Sequence, residues 1–497
     1  MSPLTAPALP DTTGRTRGWQ YLLITGYWFS ALWAAFIAVT TAVMHLTTAG
    51  GFDYVEGVAL GHQLMSAAGV PLYGSAPEQP PYSVPLYGPL FYLLYGLLLD
   101  PESPALLPAR TLNLVLTACL GMLAVLVTRH RLAASSMAGA LAVLLWLTLE
   151  PAGSFLLQNR PDTLALALGA SGFVVATSRW RHALPIAVLI LTAAAFTKQT
   201  AVVAPLFAAA LVLLSSGRRR AACLLLLGVA ATGLVVLLLL NAGTEGRYWE
   251  TAVMANLNGF SPGSALMAWQ KVGRQPLFWL SALIMLTSLT SKAPARDFAI
   301  YGLVSLALHG LAVAKPGANS NYFLEYSWCT ALALAPLLDK LLRPPYGRKR
   351  MLLILTVLTA VVLSLVQATQ TLERLRIAAE RWPAYSEWLN HWQETVAAPV
   401  ASMRPDAQLL QGYAPYVLDP HIIARLAEQG RFDESGLLED LRSGRVGAVI
   451  AAADLTAAPG AFSNWSPAVR AAVAAHYVRV DSLGYLSVWI PQHLRSE

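Results

Sequence analysis

Charge is scarce in this 497-residue chain: Asp, Glu, Lys and Arg make up 12% of it. A soluble domain carries roughly 25%. Hydrophobic residues reach 56% and mean hydropathy is +0.52. That balance excludes a soluble globular protein and requires a chain that crosses a membrane many times. Cysteine is nearly absent. Cys119, Cys223 and Cys329 all lie in apolar runs, which excludes a disulfide framework and offers no metal-ligand spacing. No phosphate-cradling P-loop, GxSxG, HExxH or paired CxxC occurs, so those hydrolase and metal classes have no support. A clean pair of inverted halves, common in transporters, is also missing. Residues 18–52 contain no Asp, Glu, Lys or Arg. A run that long exceeds the ~7–15 residues of a signal-peptide core and is expected to be an anchor.

What the chain does have is apolar length. A membrane span needs about 20 mostly apolar residues. Eleven stretches qualify, at about 20–46, 108–128, 132–149, 162–178, 183–197, 200–216, 221–241, 276–291, 297–314, 322–339 and 351–371. Arg15 and Arg17 precede the first, so the N-terminus is expected in the cytoplasm. The cytoplasmic pieces then hold 16 basic residues and three acids, whereas the opposite pieces before residue 373 hold seven basic residues and ten acids. This is the positive-inside bias. The formal charge of +7 is therefore a topology signal, and no nucleic-acid partner is expected. Residues 85–99, PLYGPLFYLLYGLLL, are too short and proline-marked for a span. They are expected to form an interfacial or re-entrant helix in one long outer loop, 47–107.

The predicted fold class is an all-α polytopic membrane domain, residues 1–372, followed by a small extracytoplasmic α/β domain, 373–497. The tail differs in composition, with eleven Arg, no Lys and fourteen acids. HIIARLAEQG and SGLLEDLRSG have helical patterning, and VGAVIAAA and YLSVWIP read as strands. The expected location is the inner (plasma) membrane, with the tail on the far side from the cytoplasm.

A charge at membrane depth on the outer side is a functional candidate, because holding it there is costly. GGFDYVEGV, residues 50–58, places Asp53 and Glu56 directly after the uncharged run. In a helix beginning near Phe52 they lie i and i+3 on one face. Helix capping is the plain alternative, and it accounts for Glu56 as well as a site role does. Asp162, in NRPD, sits in a first turn with Pro161, where the helix dipole already favours an acid. Its side and depth match Asp53, so the two acids flank one centre if the site uses acid/base or metal chemistry. Lys198, in FTKQT, falls at a turn on the outer surface, either as a snorkelling lysine or as a phosphate ligand. From residue 315 the loop KPGANSNY offers Lys315, Asn319, Ser320 and Asn321 to a phosphate or sugar, with Glu325 one turn on. A plain turn explains Pro316 and Gly317 equally well. Loop 242–275 mixes Arg247, Trp249, Lys271 and Arg274, which suits a sugar-phosphate. His62 is expected on a helix surface.

In order and sidedness these pieces resemble the GT-C superfamily of polytopic glycosyltransferases, chiefly its protein O-mannosyltransferase and aminoarabinose-transferase types. The resemblance covers roughly residues 20–340. It rests on FDYVEG, on SAAGVPLYG (66–74), on YSVPLYGPLFYLL (82–94) with Tyr87 as a substrate-binding candidate, on NRPD (159–162), and on the FTKQT turn before a helix containing Pro205. The family implies transfer of a sugar from a polyprenyl or dolichyl phosphate to a lipid, glycan or protein acceptor at the outer membrane face. It implies an acid in the first outer loop as general base: Asp53, with Glu56 a close rival because the sequence reads DYVE rather than an adjacent acid pair. Asp162 matches the second-loop acid, as metal ligand or acceptor support. Lys198, then Arg160 and Lys315, are the candidates for the donor phosphate. Some branches use a divalent metal, and here its ligands would be Asp53 and Asp162. A transporter or flippase of lipid-linked sugars is the alternative, and a scaffold binding a partner through its tail is the third reading. Few charges inside the spans after residue 100 disfavour alternating access.

Overall fold

The computed structural model describes residues 13–74, 79–257, 259–343, 348–396, 398–452, 455 and 464–496. Every apolar stretch lies on a helix. α1 (Thr13–Thr47) leads into the first long loop, which holds α2 (Tyr54–Ala67) and α3 (Pro89–Gly96). Next come α4 (Leu107–His130), α5 (Ser136–Leu147), the short α6 (Glu150–Phe155) and α7 (Asp162–Ala176). α8 (Ala183–Ala195), α9 (Val203–Ser215) and α10 (Arg219–Gly243) complete the first half. After one irregular helical turn come α11 (Pro262–Gly273), α12 (Pro276–Ser288), α13 (Ala295–Ala312), α14 (Leu324–Leu342) and α15 (Arg348–Thr395). By length and composition α1, α4, α10 and α15 each suffice to cross a membrane, and five shorter apolar helices accompany them. Residues 85–99 contain only the eight-residue α3.

The helices bury a continuous apolar core. Its two fully buried tryptophans carry polar handles, and both are satisfied. Trp146 Nε1 donates to Ser327 Oγ at 3.1 Å, and Trp328 Nε1 to the Leu120 carbonyl at 3.2 Å. An indole N–H buried without a partner would cost about 1–3 kcal/mol. The bonds therefore also fix how α5 and α4 stand against α14.

The expected junction at residue 372 lies inside α15, which runs unbroken through the polar turns that follow its apolar part. The sheet begins only at β1 (Val400–Ser402). α16 (Pro405–Leu410), α17 (Pro420–Glu428), α18 (Ser435–Arg442), β2 (Ala448–Ala452), α19 (Pro467–His476), β3 (Tyr477–Leu483) and β4 (Leu486–Pro491) follow. The strands run in the order β1-β2-β4-β3, with β1 and β2 parallel and the other pairs antiparallel.

This small unit is anchored on the first loop. Its apolar core takes in Tyr82 and Val84. The Tyr82 amide donates to the Tyr416 carbonyl at 3.0 Å, and the Leu418 amide to the Tyr82 carbonyl at 2.9 Å. Arg404 Nη2 donates to the Gly51 carbonyl at 3.0 Å, while Asp406 Oδ2 accepts from the Gly51 amide at 3.1 Å. At Gly57 a Cβ would stand 2.3 Å from the Asp406 amide nitrogen, so only glycine permits this approach of α16 to α2.

Candidate active site

Two charge networks start three residues apart on α2. Asp53 is the N-cap of the helix, and its Oδ1 accepts from the Val55 amide at 3.2 Å. Capping does not exhaust it. Its Oδ2 accepts from Arg160 Nη1 at 2.9 Å, and 24% of its side chain stays accessible. Glu56 is fully buried. It receives Arg110 Nε at 3.0 Å and Nη2 at 2.8 Å, the Asn159 amide at 2.7 Å and the Phe52 amide at 2.8 Å. Burial alone would raise its carboxyl pKa, but the Arg110 guanidinium together with the Asn159 amide and His45 outweighs it and the pKa falls. Arg110 in turn donates to the carbonyls of His45, Thr48 and Gly50. Glu56 thus clamps the end of α1, α2, α4 and the Asn159 turn together. It is not among the residues that line the cavity described next.

From Asp53 the second network runs inward with alternating sign. Arg160 Nε donates to Asp162 Oδ2 at 3.1 Å. Lys198 Nζ donates to Asp162 Oδ1 at 2.6 Å, and Asn321 Nδ2 donates to the same oxygen at 2.8 Å. Lys198 does not snorkel. Its ammonium turns inward, 5.0 Å from the Tyr322 ring, and the side chain is only 12% accessible. Burial lowers the pKa of Lys198, yet Asp162 together with Tyr322 and Tyr87 more than compensates and the net shift is upward.

Backbone geometry places these groups. Pro85–Gly88 packs on the FTK turn: the Gly88 amide donates to the Thr197 carbonyl at 3.2 Å. A Cβ on Gly88 would meet the Phe196 carbonyl oxygen at 2.0 Å, so the approach requires glycine. Gln199 Nε2 bridges the carbonyls of Leu86 and Ala252 at 2.9 and 2.8 Å, tying three loops together.

Between them lies a cavity of about 470 Å³. Arg160, Lys198, Lys315, Tyr87 and Asn321 line it, together with Tyr54 and Tyr92. Asp53 stands beside it, next to the lining residues Tyr54 and Val55. Asp162 and Glu325 lie beneath, around a space of about 30 Å³ that Lys198 and Asn321 also face. Lys315 Nζ donates to Asn256 Oδ1 at 2.7 Å. Burial, then the neighbouring charge of Lys198, lowers the Lys315 pKa to about 8. Asn319 is not among the lining residues: its Oδ1 accepts from Lys271 Nζ at 2.8 Å and from the Ser320 amide at 2.9 Å.

Sequence reasoning missed the contribution of the C-terminal unit. Asp419 and His421, at the start of α17, also line the cavity. Asp419 caps α17 by accepting from the Ile422 amide at 3.1 Å, and burial pushes its carboxyl up to about 7. His421 lies 6.4 Å from the Tyr54 ring, and burial lowers its imidazole to about 4. The signal in the sequence was Asp419-Pro420, a helix-start pair that does not reveal what the helix faces. His62 also corrects an expectation. It is fully buried against Tyr92 rather than on a helix surface, because α3 folds over that side of α2.

The donor set does not fit a metal bridging Asp53 and Asp162. The Arg160 guanidinium is bonded to both carboxylates, which is the position such an ion would need. Among the described residues no three His, Cys, Asp or Glu converge to hold an ion.

Comparison with known proteins follows the same lines. No protein-family model and no curated protein matches the chain. Solved structures do. ArnT from Cupriavidus metallidurans in the apo state aligns at TM-score 0.60 and 12% identity, over 92% of this chain and 97% of that one. The chain has the GT-C fold. The same ArnT bound to undecaprenyl phosphate aligns at TM-score 0.57 and 12% identity, over the same shares. With this fold and its apolar helices, the chain is a membrane protein.

Proposed function

We propose that the chain is a glycosyltransferase that moves a sugar from a polyprenyl-phosphate donor to an acceptor hydroxyl or phosphate, and that the reaction takes place in the 470 Å³ cavity. One observation carries this reading. Three cations, Arg160, Lys198 and Lys315, line a single cavity, and the first is ion-paired to the accessible acid Asp53. The fold's kinship to a protein solved with undecaprenyl phosphate supports the donor class.

The roles follow from how each group is tied. Asp162 has both oxygens bonded to cations, so it is a positioning residue that orients Arg160 and Lys198. Asp53 is the general base. It takes the proton of the acceptor as the acceptor oxygen bonds to the anomeric carbon. The bond from that carbon to the donor phosphate breaks, and the phosphate leaves as an anion. Lys198 and Lys315 stabilise that charge, as fixed cations do in a water-poor site. Glu56 holds the fold. Tyr87, and Asp419 and His421 from above, contact the sugar or the acceptor. The site faces the non-cytoplasmic side of the inner membrane, with residues 373–497 covering it.

The decisive experiment is transfer by purified Asp53→Asn from a polyprenyl-phosphate sugar in proteoliposomes. Transfer should be lost while membrane abundance stays near wild type. Transfer at the wild-type rate would end the assignment. Sugar moved across the membrane without release from the lipid would favour the flippase alternative.

A further inference from the structure

A second polar cavity, of about 270 Å³, adjoins the loop that carries Asn319 and Lys315. It is lined by Glu150, Lys271, Arg274, Gln275, Arg374 and the polar end of the apolar part of α15. The Lys271–Asn319 bond separates it from the first cavity, because Asn319 belongs to the loop that carries Lys315 on its other side. None of its residues enters the mechanism above.

Its charges are not bound in ion pairs. Among the described residues, Glu150, Lys271, Arg274 and Arg374 form no ion pair within 4.0 Å. Lys271 uses one of an ammonium's three donors on Asn319. Arg374 spends Nε and Nη2 on Gln370 and Thr371 of its own helix. Arg274 is exposed at the rim. Glu150 lies deep, 7% exposed; its Oε1 accepts from Ser154 Oγ at 3.3 Å, and its Oε2 has no hydrogen-bond partner. Gln275 fixes it there, since Gln275 Oε1 accepts from the Glu150 amide at 2.7 Å and Nε2 donates to the Thr148 carbonyl.

The cavity lies where an apolar run gives way to polar residues, the level at which headgroups meet a membrane helix. Gln367, Gln370, Thr371 and Arg374 mark where the apolar run of α15 ends. α11, whose last turn carries Lys271 and whose C-cap is Arg274, leaves Leu266 and Met267 exposed. Three cations call for a phosphate. A buried carboxylate with a free oxygen repels a bare phosphate, but it accepts a bond from an ammonium or hydroxyl beside that phosphate.

We infer that this cavity binds the headgroup of a membrane lipid whose phosphate meets Arg274, Arg374 and Lys271 and whose amine or hydroxyl reaches Glu150. The site is separate from the transfer cavity, so its occupancy is read without any transfer assay. The test uses the full-length purified chain and native mass spectrometry of retained lipid. The probes are phosphatidylethanolamine, phosphatidylglycerol and phosphatidylcholine. The first two carry a donor next to the phosphate, and the third does not. The wild-type protein should retain the first two over phosphatidylcholine by about tenfold, the worth of one charge-assisted hydrogen bond. Arg274→Gln with Arg374→Gln should reduce that retention by at least about tenfold. Both arginines are exposed, so the fold is spared. Glu150→Gln should narrow the preference over phosphatidylcholine, because an amide can donate to a phosphate. Three results would overturn the inference: equal retention of phosphatidylcholine by the wild type, unchanged retention in the folded double variant, or complete displacement of the lipid by millimolar inorganic phosphate.

Discussion

Asp53 and Glu56 sit on one turn of one helix, each paired to an arginine from a distant segment, yet they belong to different kinds of place. Around Glu56 every bond closes. Arg110 is spent on two carboxylate oxygens and three backbone carbonyls, and both side chains are wholly buried. Around Asp53 the bonds stay open at one end. The network runs through Arg160 and Asp162 to Lys198, and both of its cations border a cavity large enough for a sugar. A saturated ion pair holds structure, because removing one partner strands the other in a medium that cannot solvate it. An ion pair facing unfilled space keeps a group able to change partner during a reaction. The lesson is that burial and pairing alone do not mark a site. Unspent valence against a cavity does.

The largest effects should therefore separate the two acids. Asp53→Asn is expected to cut transfer by about 10² to 10⁴, the range of a lost general base. Its melting temperature should stay near that of wild type, since Asn also caps helices well. Glu56→Gln should do the reverse. Breaking a buried pair typically costs about 3–5 kcal/mol, so thermal unfolding in detergent should shift strongly downward. The surviving folded fraction should turn over at close to the wild-type rate per molecule. If Glu56→Gln is stable and inactive while Asp53→Asn is active, the comparison is inverted and the base is Glu56. Lys198→Gln comes next, with a loss in kcat of about 10² to 10³, as for other fixed charge stabilisers. Single-turnover measurements with saturating donor would read that loss directly.

Much of this was legible from residue order. The helices of the membrane domain follow from apolar length, since a span of that kind has few alternatives. FDYVEG, NRPD and FTKQT each placed a charge at the same depth, and the fold brings all three to one network. The sequence does not separate Asp53 from Glu56, because the difference in their surroundings lies in Arg110, whose position in an apolar helix gives no hint of its partner 54 residues earlier. The role of α17 was equally hidden. Asp419 and His421 line the cavity from a unit whose α16 lies directly on α2 at Gly57, and a lone glycine in a helix does not announce what approaches it. Residue 372 looked like a boundary because hydropathy falls there, whereas α15 keeps its helix through the change of solvent.

Smaller effects test the roof and the outer cation. Lys315 has its pKa lowered to about 8 in the free protein. Its charge is present below that pH and lost above it, so kcat/KM for donor should fall as pH rises through about 8. Lys315→Arg should move that fall to higher pH, because a guanidinium stays protonated throughout. A profile unmoved by the arginine would remove Lys315 from the donor phosphate.

Asp419 offers the subtlest test. Its folded pKa of about 7 lies above the unfolded 3.8, so the folded state binds the extra proton between those values. The sign then follows: stability falls as pH rises from about 4 to 7, because the unfolded carboxyl ionises freely and the buried one resists. Asp419→Asn keeps the cap on α17 and removes the titration. Melting temperatures across that pH window should decline less steeply in the variant than in wild type. Parallel declines would mean that water already reaches the Asp419 carboxylate, and that the roof of the cavity is wetter than its burial implies.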